Sequence, residues 1–158
     1  MLPADPAHLH RLGFSETEIQ KSLARRRPKA SKRTASGVLT EHEEQKSIIR
    51  WAHVKTREVP DLVRLFAVPN GGKRTQAQAA WAKAEGLKVG VPDLWFPVSR
   101  RGYHGLVIEL KTLDKASKTS PEQDDWLAWL LERGWFSKMC RGADDAIKTI
   151  AIYLGISP

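Results

Sequence analysis

The chain of 158 residues has a single cysteine, Cys140. No internal disulfide can form, a cysteine-rich zinc site is excluded, and a reducing cytoplasm fits this usage. No stretch approaches the roughly 18 apolar residues that a membrane span needs, so no membrane partner is expected. The start, "MLPADPAHLHRLGF", has no basic segment leading into an apolar core and does not read as a secretory signal. The five histidines form no metal-binding set: His8 and His10 lie near the start, His42 and His53 are eleven apart, and His104 stands alone. Acid is scarce relative to base, 18 Asp/Glu against 26 Lys/Arg, for a net charge of +8. That balance favours polyanionic partners, nucleic acid first.

The rest is ordinary for a globular chain, with 41% hydrophobic and 28% charged residues. The length suits one domain with a real core and a short appendage. The basic excess is uneven. Residues 1–40 carry eight Lys/Arg and three Asp/Glu, whereas residues 41–158 carry eighteen and fifteen. Residues 1–36 therefore read as a basic N-terminal helix and linker, and residues 37–158 as the main domain. "GFSETEIQKSLARRR" has Ser15 and Glu18 at capping-box spacing and Ile19 and Leu23 on one face. A helix so short is expected to dock on the main body or on a partner protein. "RRRPKASKRTASG" is a linker, either solubilising or a phosphate-backbone contact arm.

Thr40 and Glu43 form a second capping box ahead of a helix whose Glu41, Gln45, Ile48, Ile49 and Ala52 share a face. "DLVRLFAV" is predicted as a strand and "PNGGKRT" as a turn. "TQAQAAWAKAEG" is a helix capped by Thr75 and stopped at Gly86. "DLWFPV" and "GLVIELK" are strands around "SRRGYHG". "SPEQDDWLAWLLERG" is a helix with Ser120 as cap, Pro121 in first position, Gln123 completing the box and Gly134 ending it. "WFSKMC" is a strand and "ADDAIKTIAIYLG" a last helix. The order predicts an α/β domain with a mixed central sheet and helices on both faces.

Charge in the apolar stretch Gly90–Lys111 carries the chemistry. A hairpin centred near Arg101–Gly102 brings Asp93 opposite Glu109 or Lys111, with Cβ atoms roughly 5 Å apart. In "LVIELK" alternation puts Leu106, Ile108 and Leu110 on one face and Val107, Glu109 and Lys111 on the other. Burying such charges unpaired costs several kcal/mol, and two adjacent carboxylates persist where a cation sits between them. Oxygen ligands of this kind suit Mg²⁺, which activates water and polarises a phosphoryl oxygen, with Lys111 beside the water or the developing charge. An edge-strand ion pair between Glu109 and Lys111 is the plainer alternative.

Pro92-Asp93 followed by Glu109-Leu110-Lys111 resembles the PD-(D/E)xK nuclease superfamily. With "TEHEEQ", "PNGGKR", "GVPDL", "IELK", "SPEQ" and "GADDAIKTIAIYL" in order, it resembles the VRR-NUC family over about residues 40 to 154. The resemblance implies a restriction-endonuclease-like fold, Mg²⁺ or Mn²⁺ dependence, and DNA as substrate. By position it makes Asp93 and Glu109 metal ligands, with Leu110 counted as a metal contact, and Lys111 the catalytic lysine. The first-helix acid maps to Glu41, with Glu44 as competitor, and dipole compensation is the plainer role for either. Gln123 matches the family's glutamine, a role compatible with completing the capping box. Small stand-alone relatives are similar to phage or prophage proteins, some dimeric and active on four-way junctions. A bacterial-host or phage-encoded, cytoplasmic setting follows, with branched DNA as the expected partner.

Asn70, Gly71 and Gly72 permit a phosphate-binding turn or a plain structural one, and Lys73 and Arg74 tilt the loop toward DNA. Arg100 and Arg101, with Tyr103 and His104, are DNA contacts from the hairpin tip or a solvated turn. Trp126 and Trp129 share one side of a helix, where core packing is the default and exposure would indicate a homodimer interface. The sequence thus predicts a metal-dependent, structure-specific DNA endonuclease. The alternative is a catalytically silent or partner-dependent DNA-binding module.

Overall fold

The structure, a computed structural model, describes Thr17, residues 37–69 and residues 75–158. Apart from Thr17 and Gly37, the expected N-terminal helix and basic linker, and the 70–74 part of the glycine loop, lie outside the described residues.

Helix α1 spans Glu41–Lys55 and begins at Thr40, whose hydroxyl accepts from the Glu43 amide at 3.3 Å. The expected capping box is only half made, because the Glu43 carboxylate turns to Lys46 Nζ at 3.1 Å. The predicted strand over "DLVRLFAV" is corrected. Pro60–Arg64 is a 3-10 helix, and strand β1 is only Phe66–Ala67. Pro60 fixes its own φ and has no N–H, so it opens a tight turn rather than a ladder. Leu62 is buried by that turn.

Helix α2, Gln76–Ala84, has a full reciprocal box between Thr75 and Gln78. Strand β2 is Leu94–Phe96 and stops at Pro97, which has no ladder donor to give. The hairpin turns on Arg101 (φ 52°) and Gly102 (φ 83°), bridged by Arg100 and Tyr103. Two successive positive φ values give the turn whose twist matches the flanking strands. Strand β3 is Leu106–Lys111, helix α3 Pro121–Glu132, strand β4 Phe136–Arg141 and helix α4 Gly142–Leu154. Ser120 and Gln123 complete the box that opens α3.

The sheet order is β1-β2-β3-β4, antiparallel across the first two pairings and parallel between β3 and β4. Every residue of β3 is buried, as in a strand covered on both faces. On one face Leu106, Ile108 and Leu110 pack with Ile48 and Ala52 of α1 and Ala146 and Ile150 of α4. On the other, Glu109 is met by Gln123 from α3. The result is the expected mixed sheet flanked by helices.

Glu44 ties the first helix to the last. It is 4% exposed, and its Oε2 accepts from the Ala143 amide at 2.8 Å, satisfying a first-turn donor of α4. Gly142, at φ 71°, leads the chain into that turn, and a Cβ there would come within 2.9 Å of Leu113. Glu44→Ala is expected to lower stability by about 1–3 kcal/mol, the cost of a buried unsatisfied amide. Urea denaturation would read this as a lower midpoint with unchanged slope; an unchanged midpoint would contradict it.

Candidate active site

The hairpin pairs Leu94 with Ile108 and Phe96 with Leu106, so extending the ladder by one residue sets Asp93 against Glu109. Asp93 is held from both sides. Its carbonyl accepts from the Val68 amide at 2.8 Å, and its Oδ2 accepts from the Leu110 amide at 2.9 Å. Alternation sends the Leu110 side chain into the core, so only the main chain of Leu110 faces the site.

Glu109 is 1% exposed. Its Oε1 accepts from Lys111 Nζ at 2.7 Å and also from Gln123 Nε2. Its Oε2 is buried with no hydrogen-bond partner. Gln123 serves two structures at once, since its Oε1 accepts from the Ser120 amide at 2.9 Å while its Nε2 donates to Glu109. Burial pushes the Glu109 carboxyl up to about 7, with the nearby Asp93 charge adding to the rise and Lys111 opposing it. Burial also raises Asp93 above the usual carboxylate range, against the pull of the Leu110 amide and Lys111. Two adjacent carboxyls held above their ordinary range mark a place where added positive charge is favoured.

Lys111 is 6% exposed, and its Nζ lies 3.9 Å from Glu41 Oε1 as well as 2.7 Å from Glu109. Glu41 also accepts from Ser117 Oγ at 3.3 Å. Glu41 therefore borders the carboxylate–lysine cluster, whereas Glu44, one turn on, is committed to α4. Among the described residues, no three His, Cys, Asp or Glu side chains group to hold a metal by themselves. The donor set is the Asp93 and Glu109 carboxylates, one with a bare buried oxygen. A site with few carboxylates and room for water and phosphate oxygens fits Mg²⁺ or Mn²⁺.

Two clefts meet at Asp93. One, of about 580 Å³, is lined by Glu41, His42, Gln45 and Val68 among others. The second, of about 310 Å³, runs along Leu87–Val91 to Gln123. The structure thus brings together Asp93, Glu109, Lys111, Glu41, Gln123 and the Leu110 main chain.

Other candidates fall elsewhere. Arg100 and Arg101 sit at the hairpin tip, the opposite end of the strands from Asp93, and Arg100 is paired with Asp61 at 2.7 Å. Asn70, Gly71, Lys73 and Arg74 lie outside the described residues. Trp126 and Trp129 are not core residues. They meet edge to face at 5.9 Å, Trp126 donates to the Val89 carbonyl, and Trp129 is 46% exposed beneath Arg133. Sequence reading missed Ser117 and Arg141. Arg141 pairs with Lys111 across β3 and β4 and donates to the carbonyls of Thr112 and Asp114, fixing the loop after β3. The one available signal was the arginine that directly follows "WFSKMC", and its register depends on a long-range parallel pairing.

A mixed sheet with paired carboxylates and a lysine at the end of its central hairpin defines a nuclease domain of restriction-endonuclease-like fold. The VRR-NUC domain model matches residues 15–144, and the chain belongs to that family. A solved structure titled "VRR_NUC domain protein" is similar, with 30% identity and a TM-score of 0.62, over 75% of this chain and 91% of that one. No curated protein matches the chain. Among the described residues, no helix is long and apolar enough to cross a membrane.

Proposed function

We propose that the chain is a Mg²⁺- or Mn²⁺-dependent DNA endonuclease that acts on branched DNA. The observation that carries the metal-dependent reading is the bare, buried Oε2 of Glu109, in a carboxylate whose other oxygen already has two donors. Asp93 and Glu109 would hold the cation, with the Leu110 main chain beside them. A bound divalent ion supplies Lewis-acid polarisation of the phosphate and a more acidic water.

The remaining work falls to the protein's own groups. The Leu110 amide orients Asp93 through Oδ2. Gln123 orients Glu109 from a rigid helix start, since the same amide group closes the α3 capping box. Lys111 holds its positive charge next to the carboxylates, where it steadies the attacking water or the charge growing on the phosphate. Glu41 acts one step back, as the second acid within reach of that ammonium. The two open clefts meeting at Asp93 support internal cutting, because a strand can approach on one side and leave on the other. Branched DNA is supported by the family and by the lack of a recognisable base-reading motif.

The test uses a labelled four-way junction, a flap and a plain duplex, each with Mg²⁺, Mn²⁺ or EDTA. Cutting is expected only with metal and fastest on the junction. Tight binding without cutting in any metal would instead support a silent DNA-binding module.

A further inference from the structure

The second cleft at Asp93 does not end there. It shares Leu87, Lys88 and Val89 with a further cleft of about 460 Å³ that reaches Lys83 on the last turn of α2. The two form one groove running from Asp93 and Gln123 to the surface. Among the described residues that line it, Asp93, at the inner end, is the one acid, while Lys88 and Lys83 follow outward.

The ledge that carries Lys88 is fixed to the nuclease body. Trp126 Nε1 donates to the Val89 carbonyl at 3.0 Å. Gly90, at φ 83°, lies so close to the first turn of α3 that a Cβ would come within 2.6 Å of the Glu122 backbone. Only glycine fits there, and it seats the chain on the same helix start that positions Gln123. A basic residue on a pinned ledge, beside the group that orients a catalytic carboxylate, is placed to act on the substrate backbone rather than on bulk solvent.

We propose that this groove carries the nucleic-acid strand away from the scissile phosphate, with Lys88 and then Lys83 neutralising phosphates along it. The inference rests on the nuclease reading above and adds a backbone-binding subsite to it. The groove's apolar lining, Leu87 and Val89, lies against sugar and base edges without reading sequence.

The experiment uses the full chain as wild type, Lys83→Ala, Lys88→Ala and the double variant. Lys148→Ala, an exposed lysine that lines neither cleft, is the control for losing one charge. Affinity for a fluorescent four-way junction is measured in EDTA across a potassium chloride series, and cleavage is measured separately with Mg²⁺. Each groove lysine is expected to lower the slope of log K against log salt by about 0.9, and the pair by about twice that. The double variant is expected to raise KM about tenfold with kcat within about twofold, while the control leaves both unchanged. Equal slopes in wild type and double variant, or the same loss in the control, would overturn the subsite. Because binding is read without metal, an uncut junction would count against the nuclease reading alone.

Discussion

Lys111→Ala should reduce metal-dependent cleavage by about 10²–10⁴-fold, the range for losing a positioned proton-transfer or charge-stabilising group. Lys111 is 6% exposed and its ammonium sits 2.7 Å from Glu109, so water cannot take its place as it would at a surface. Removing it also has a structural cost, since it leaves a buried carboxylate without its cation. Two measurements separate these effects. Thermal unfolding in EDTA reads the loss of the pair, and saturating-metal kinetics on the folded fraction read the chemistry. Lys111→Arg keeps the charge but spreads it over a planar fork, so it should recover stability more fully than turnover. A Lys111→Ala protein that cuts at more than a tenth of the wild-type rate would remove the lysine from the mechanism.

In the metal-free protein, stability should fall as pH rises from about 4.5 to about 7. Glu109 carries the effect. Its carboxyl is raised from 4.5 to about 7 in the fold, chiefly by burial, so the folded state binds the proton more tightly than the unfolded chain does. The stabilising contribution is therefore complete below pH 4.5 and is lost as pH passes through about 7. A rise of that size corresponds to on the order of 3 kcal/mol. Asp93 is raised for the same main reason and adds in the same direction. Urea denaturation in EDTA at steps of pH would show the fall, and Glu109→Gln should flatten most of it. Adding Mg²⁺ near pH 8 should restore stability in the wild type but not in that variant, because a cation favours the ionised carboxylate. A wild-type profile that stays level from pH 4.5 to 7.5 would refute this.

The central hairpin was legible because its information is local. Arg101-Gly102 accommodates two positive φ values, and fixing that turn fixes which residue faces Asp93. The double duty of Gln123 was half legible: its capping role follows from Ser120 three residues earlier, but the reach to Glu109 needs α3 laid on the sheet. Glu41 and Glu44 could not be told apart from α1 alone. Three residues apart, both can face inward, and what separates them is α4, whose Ala143 amide claims Glu44 from 99 residues away. The strand expected over Asp61–Val68 shrinks to Phe66–Ala67 for a local reason that outranked its apolar pattern. Pro60 opened a 3-10 turn, and Asp61 of that turn pairs with Arg100 of the hairpin.

The Glu44–Ala143 hydrogen bond also bears on how the chain is made. Ile48 and Ala52 near the start of the nuclease body pack against Ala146 and Ile150 near its end. During synthesis, α1 emerges long before the helix that covers it, and β3 waits for its parallel neighbour across the whole of α3. The core closes only once α4 is available to pack on α1, so folding depends on contacts distant in sequence. Until then Asp93 and Glu109, which the hairpin alone brings face to face, lack the α3 and α4 packing that fixes their geometry.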